Sequence, residues 1–155
     1  MSTTPGASRQ DIDHYEHHSW ERYKITGLIL PAETEHWRVS TFTVTENDLR
    51  LYNLRLAFHG AGHMMMKLGT YTRLIRKGGF DPVMSDTYAE IDSHLAFLRQ
   101  AHGRILINWL GLGVVLRGLL LNPATEHVDV VENDQEVIGL IGPYFQGDGR
   151  VTIHQ

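Results

Sequence analysis

The sequence predicts an α/β fold in which a partial doubly wound parallel sheet follows a small mixed, β-rich N-terminal part. Two observations predict it. Residues 104 to 155 alternate strand and helix patterns with short connections, as parallel strands joined by right-handed crossovers do. Ahead of them, WRVSTFTV and LGTYTRL have the β-branched and aromatic composition of strands.

Taken in order, residues 1 to 13 are polar, contain Pro5 and Gly6, and read as a mobile tail. Residues 14 to 83 form the N-terminal mixed part. Its first strand is WRVSTFTV, with Val39, Thr41 and Thr43 on one face and Phe42 and Val44 on the other. Thr45 then caps a helix whose stripe runs through Leu49, Tyr52, Leu54, Leu56 and Ala57 and stops at Gly60 and Gly62. The segment HMMMKLGTYTRLIRKGGF reads as two short strands around Leu68 and Gly69, closing at Gly78 and Gly79.

Residues 84 to 155 form the second part. Thr87 and Glu90 have capping-box spacing, and Ile91, Leu95 and Leu98 continue at helical intervals toward Gly103. A strand at 104 to 108, a glycine turn, a helix at 114 to 121 and a stop at Asn122-Pro123 follow. The strand HVDVVE, a helix at 134 to 142 and the strand RVTIH complete the pattern.

Composition narrows function by exclusion. At 155 residues the chain holds one compact domain, or a small domain with an appendage. A formal charge of −4 gives no electrostatic reason for a nucleic-acid partner. With no cysteine, thiolate catalysis, disulfides and cysteine-ligated zinc are excluded. No apolar stretch supports secretion or a membrane span, so a cytoplasmic location is the default expectation.

In a doubly wound sheet, ligands lie beyond the carboxyl ends of the strands, nearest the first strand-to-helix turn. Gly111 and Gly113 give that turn a G-x-G, and Glu132 ends the next strand about twenty residues on, where a carboxylate can accept ribose hydroxyls. Leu116 stands where the third glycine of a dinucleotide fingerprint belongs, which disfavours NAD. No Lys-Ser or Lys-Thr follows, which excludes a P-loop. An adenosyl ligand without a pyrophosphate remains.

His59 and His63 are spaced as two ligands on one helical turn, but the glycines between them undermine that helix, and the reading assigns no metal. His14, His17 and His18 read as a solvated tract, and Met64, Met65 and Met66 as core filling. Arg73, Arg76 and Lys77 read as a solvated basic edge near the hairpin.

The residues MSDTYAEIDSHLAFL, ILINWLGLGVVLRGLLLNP, EHVDVVENDQEVIGLIGPYF and RVTIH together resemble the spermidine-synthase-like branch of class I S-adenosylmethionine-dependent methyltransferases, over about residues 68 to 155. LGTYTRL and the strand pattern before it resemble the small β-rich N-terminal part of that branch. The resemblance implies a Rossmann-like domain with S-adenosylmethionine as cofactor. Gly111 and Gly113 would border its methionine and ribose, Glu132 would hold the ribose, and Asp134 would sit beside it. Asn108, Trp109 and Asn133 complete the implied cofactor set, and Tyr71 and Asp86 are the implied residues of the substrate cleft.

Three departures stand out. Trp109 occupies the place of the first glycine of the turn, and Asn133 replaces the apolar residue of an E-I-D motif. The pattern also ends after the third strand, ahead of the Asp-Ala motif and of the strands that carry the acceptor site in that branch.

The indole must fold away from the cleft, fill part of the cofactor's space, or stack on the adenosyl group. Three functional readings follow: a methyltransferase-like protein of unnamed acceptor, a catalytically inactive remnant or interaction module, and an aminopropyltransferase. The last is disfavoured because Leu112 replaces the aspartate of the G-G-G-D turn. The strand 104 to 108 would present an uncovered sheet edge, so the reading expects either a homo-oligomer through that edge or its coverage by the N-terminal strands.

Overall fold

The computed structural model describes residues 20–59, 66–79 and 81–155. The expectations for the tail, for His14, His17, His18, Gly60, Gly62, His63, Met64 and Met65 lie outside the described residues. The chain is α/β, with two sheets.

The first is antiparallel and four-stranded, in the order β1 (Ala32–Glu33), β2 (Trp37–Val44), β3 (Gly69–Arg76), β4 (Pro82–Ser85). Helix α1 (Glu46–His59) intervenes between β2 and β3. Thr45 starts it in a reciprocal cap: its Oγ1 donates to the Asp48 carboxylate at 2.6 Å and accepts from the Asp48 N–H at 3.4 Å. The expected apolar stripe fails at Leu54, which is 58% exposed.

The two short strands expected around Leu68 and Gly69 are instead one strand, β3, paired with β2 over its whole length from Trp37↔Arg76 to Val44↔Gly69. An eight-residue partner outweighs a local hairpin. The turn at Gly78 and Gly79 does close a hairpin, between β3 and β4.

Helix α2 (Tyr88–Gln100) buries Ile91, Leu95 and Leu98 as the periodicity requires. Its cap differs from expectation: Thr87 makes no side-chain bond to the helix and its hydroxyl pairs with Ser85 Oγ at 3.0 Å instead.

The second sheet is parallel, in the order β5 (Gly103–Asn108), β6 (Thr125–Val131), β7 (Val151–His154), with α3 (Val114–Leu120) and α4 (Gln135–Ile141) as the crossovers. This is a partial Rossmann-like arrangement. Its core face buries Ile107, Val128 and Val130. Alternation along each strand turns Arg104, Leu106 and Asp129 to the other face, where Leu106 is 64% exposed and His154 Nε2 meets the Asp129 carboxylate at 2.9 Å.

Strand β5 lies at one edge of its sheet, and none of the described N-terminal strands pairs with it, since they form their own sheet. Contact between α2 and α3 depends on Gly118, because a Cβ there would lie 2.6 Å from Leu98 Cδ1. No helix among the described residues is long and apolar enough to cross a membrane.

Candidate functional site

Parallel pairing of β5 and β6 brings Asn108 opposite Val131, so the loops that leave the two strands emerge side by side. A cavity of about 880 Å3 lies at this mouth. The volume is within the range of about 300–1,000 Å3 usual for small-molecule sites. Asn108 and Trp109 wall it from β5, and Val131, Glu132, Asn133, Asp134 and Val137 from β6 and α4. The antiparallel sheet supplies Trp37, Arg76 and Val83.

Five of the seven residues expected at a cofactor therefore share one cavity: Asn108, Trp109, Glu132, Asn133 and Asp134. Gly111 and Gly113 do not line it. Both have positive φ, 50° and 80°, which explains glycine at each position, but protein atoms occupy the space a Cβ would need. Met84 Sδ from β4 is 2.7 Å from such an atom at Gly111, and Phe145 Cε2 is 2.5 Å from one at Gly113. The glycines let the two sheets and α4 approach the turn.

Tyr71 and Asp86, expected in the substrate cleft, are placed elsewhere. Asp86 is fully buried and accepts the N–H groups of Ile25, Thr26 and Thr72 and the Thr26 hydroxyl, at 2.6–2.9 Å. It holds the segment before β1 against β3. Tyr71 lies between Trp20 and Phe42 and donates its hydroxyl to the Lys67 carbonyl at 2.8 Å. Burial, with the Asp86 and Glu21 charges, pushes its phenol up to about 12.

Glu132 is 1% exposed. Its Oε2 accepts the Leu110 N–H at 3.0 Å and its Oε1 accepts the Asp134 N–H at 2.9 Å, so one carboxylate straps together the loops after β5 and β6. Asp134 in turn caps α4, accepting from Glu136 N at 2.9 Å and Val137 N at 3.3 Å, and its other oxygen accepts the Trp37 indole N–H at 2.8 Å. Beside it, Glu136 accepts the His36 N–H at 2.9 Å and meets His36 Nδ1 at 2.6 Å.

That contact raises the His36 pKa above its ordinary 6.5, chiefly through the hydrogen bond to Glu136 and its charge. Hydrogen bonds from His36 and Thr34 hold Glu136 down at about 2. Glu35, His36 and Glu136 are a group of metal-ligand type among the described residues, and the Glu136–His36 bond occupies two of its atoms.

Trp109 has φ 94°, the one non-glycine residue at positive φ among the described residues. Its N–H extends the ladder to the Val131 carbonyl at 2.7 Å, and the backbone then turns as a glycine would. Trp109 is 52% exposed and forms a wall of the cavity. Trp37, Arg76 and Val83 were not singled out for this site from sequence. Their only local signal is aromatic and charged residues at the ends of strands, whose place in the cavity depends on how the two sheets pack.

The chain matches no protein-family model and no curated protein. Among solved structures it is similar to a spermidine synthase in complex with the transition-state analogue AdoDATO, at 18% sequence identity and a TM-score of 0.43. The similarity covers 81% of this chain and 38% of that one, so the chain spans well under half the length of that protein.

The strain at Trp109 reverses the usual order of small substitutions. Both Trp109→Ala and Trp109→Gly remove the indole, but only glycine relaxes at φ 94°, so the glycine variant is expected to be the more stable by about 1 kcal/mol in urea unfolding. An alanine variant of equal or greater stability would contradict the assigned backbone.

The His36–Glu136 contact sets a pH window. A raised His36 pKa stabilises fully below pH 6.5 and is lost as pH rises through the folded value; a lowered Glu136 pKa stabilises above about 4.5 and is lost as pH falls toward 2. The stability difference between wild type and His36→Ala is thus expected to be largest between pH 4.5 and 6.5 and to shrink at higher pH. A difference independent of pH would count against the contact.

Proposed function

We propose that the cavity at the mouth of β5 and β6 binds S-adenosylmethionine and that the protein is a methyltransferase-like, adenosyl-binding protein of unnamed acceptor. The observation that carries this reading is the common cavity wall formed by Asn108, Trp109, Glu132, Asn133 and Asp134. The donor set fits such a ligand. A carboxylate has about four acceptor sites, of which the two backbone bonds of Glu132 use two, leaving capacity for ribose hydroxyls. The Asn108 and Asn133 amides can pair with polar edges of a base, and the exposed Trp109 ring offers a face for stacking or for a sulfonium cation.

When bound, the sulfonium supplies an activated methyl group. The protein's part is then to hold donor and acceptor in line and to exclude water, which calls for positioning more than for an acid-base pair. Aminopropyl transfer is the weaker reading, since Leu112, at the place of the aspartate in that branch, is fully buried and carries no charge.

A second reading, a non-catalytic module that keeps the fold, is favoured by one observation: Glu132 and Asp134 already serve backbone and indole N–H groups. A thermal-shift titration separates the two readings. A ligand that binds only the native state stabilises it by about 2.7 kcal/mol at 100 times its Kd. Binding predicts a rise in Tm with S-adenosylmethionine or S-adenosylhomocysteine; no rise at millimolar ligand would retire the first reading in favour of the second.

A further inference from the structure

The cavity wall carries three charged side chains, Arg76, Glu132 and Asp134. Both carboxylates already accept hydrogen bonds within the protein: Glu132 from the Leu110 and Asp134 N–H groups, Asp134 from the Trp37 indole and the first turn of α4. The neighbouring Glu136 is matched by His36. Arg76 is not. Among the described residues its guanidinium makes no ion pair or hydrogen bond, and its recorded partner is the Trp37 ring, with Cζ 6.0 Å from the centroid. Pairing of Arg76 with Trp37 across β3 and β2 fixes the backbone from which both side chains reach the cavity.

We propose that Arg76 is the specificity residue of this cavity and reads an anionic group on its ligand. The inference rests on the adenosyl-binding reading above and adds the charge of the ligand to it. A guanidinium offers five N–H donors in a planar fork that matches a carboxylate or a phosphate, and stacking on an indole leaves that fork free. Arg76 is the one cation of that wall and the one charged group there without a hydrogen-bond partner among the described residues, so an adenosine compound without an anion leaves its N–H donors unpaired, while one with an anion occupies them. The anion is either the carboxylate of an amino-acid arm or the phosphate of a nucleotide, and both share the same chemistry toward Arg76.

Two ligand pairs test it by calorimetry: S-adenosylmethionine against its decarboxylated form, and adenosine 5′-monophosphate against adenosine. In at least one pair the anion-bearing member is expected to bind about tenfold or more tightly than its partner, and that pair identifies the source of the anion. Arg76→Gln is expected to bring the two members to equal affinity with an unchanged melting temperature in the absence of ligand, and Arg76→Lys to restore part of the ratio. Equal affinity within both pairs in the wild type, or a ratio that survives Arg76→Gln, overturns the inference alone. Failure of all four compounds to bind overturns the adenosyl reading with it.

Discussion

The site depends on one buried carboxylate. Glu132 directly follows β6, is 1% exposed, and accepts one backbone N–H from the loop after β5 and one from the loop after β6. Hydrogen bonds to a charged group are worth about 1.5–3 kcal/mol each, and losing the acceptor strands a buried donor at Leu110 and a part-buried one at Asp134. The parallel ladder sets the loops side by side and Glu132 fixes their relative height. With the Asp134 backbone held, its side chain can cap α4 on one side and take the Trp37 indole on the other. The cavity between the two sheets is a consequence of that chain of contacts.

The N-terminal sheet uses the same device. Asp86 collects three backbone N–H groups and a hydroxyl in a fully buried position, holding the segment at Ile25 and Thr26 to β3. Each sheet therefore has an internal carboxylate strap, and the links between the sheets are Trp37 with Asp134, His36 with Glu136, and Met84 seated against Gly111 and Leu112. Met84 Sδ lies 3.1 Å from the Leu112 nitrogen, in space that a G-x-G turn would otherwise leave open.

Much of the parallel sheet was legible in the sequence because its signals are local. β5, β6 and β7 are short β-branched runs, α3 and α4 carry apolar residues at helical spacing, and Asn122-Pro123 punctuates them. Glu132 was legible as a strand-end carboxylate, but not as a strap, because its donors belong to loops whose geometry follows from the strand pairing. Val83, Arg76 and Trp37 escaped for the same reason: the wall they form is a long-range product of packing. Arg76 read as a solvated edge residue, which its composition alone supports equally well. Thr87 had the spacing of a cap, yet its hydroxyl pairs with Ser85 Oγ instead.

The three tryptophans provide an internal comparison for the central claim, that the cavity between the sheets is a ligand site. Trp37 and Trp109 wall the cavity, whereas Trp20 is 2% exposed in the N-terminal core against Tyr71 and Tyr88. The most direct measurement is a proton–nitrogen correlation spectrum of the indole N–H signals during addition of S-adenosylhomocysteine. The account predicts saturable movement of the Trp37 and Trp109 signals with Trp20 unmoved. Three stationary signals, or three that drift together, would contradict it.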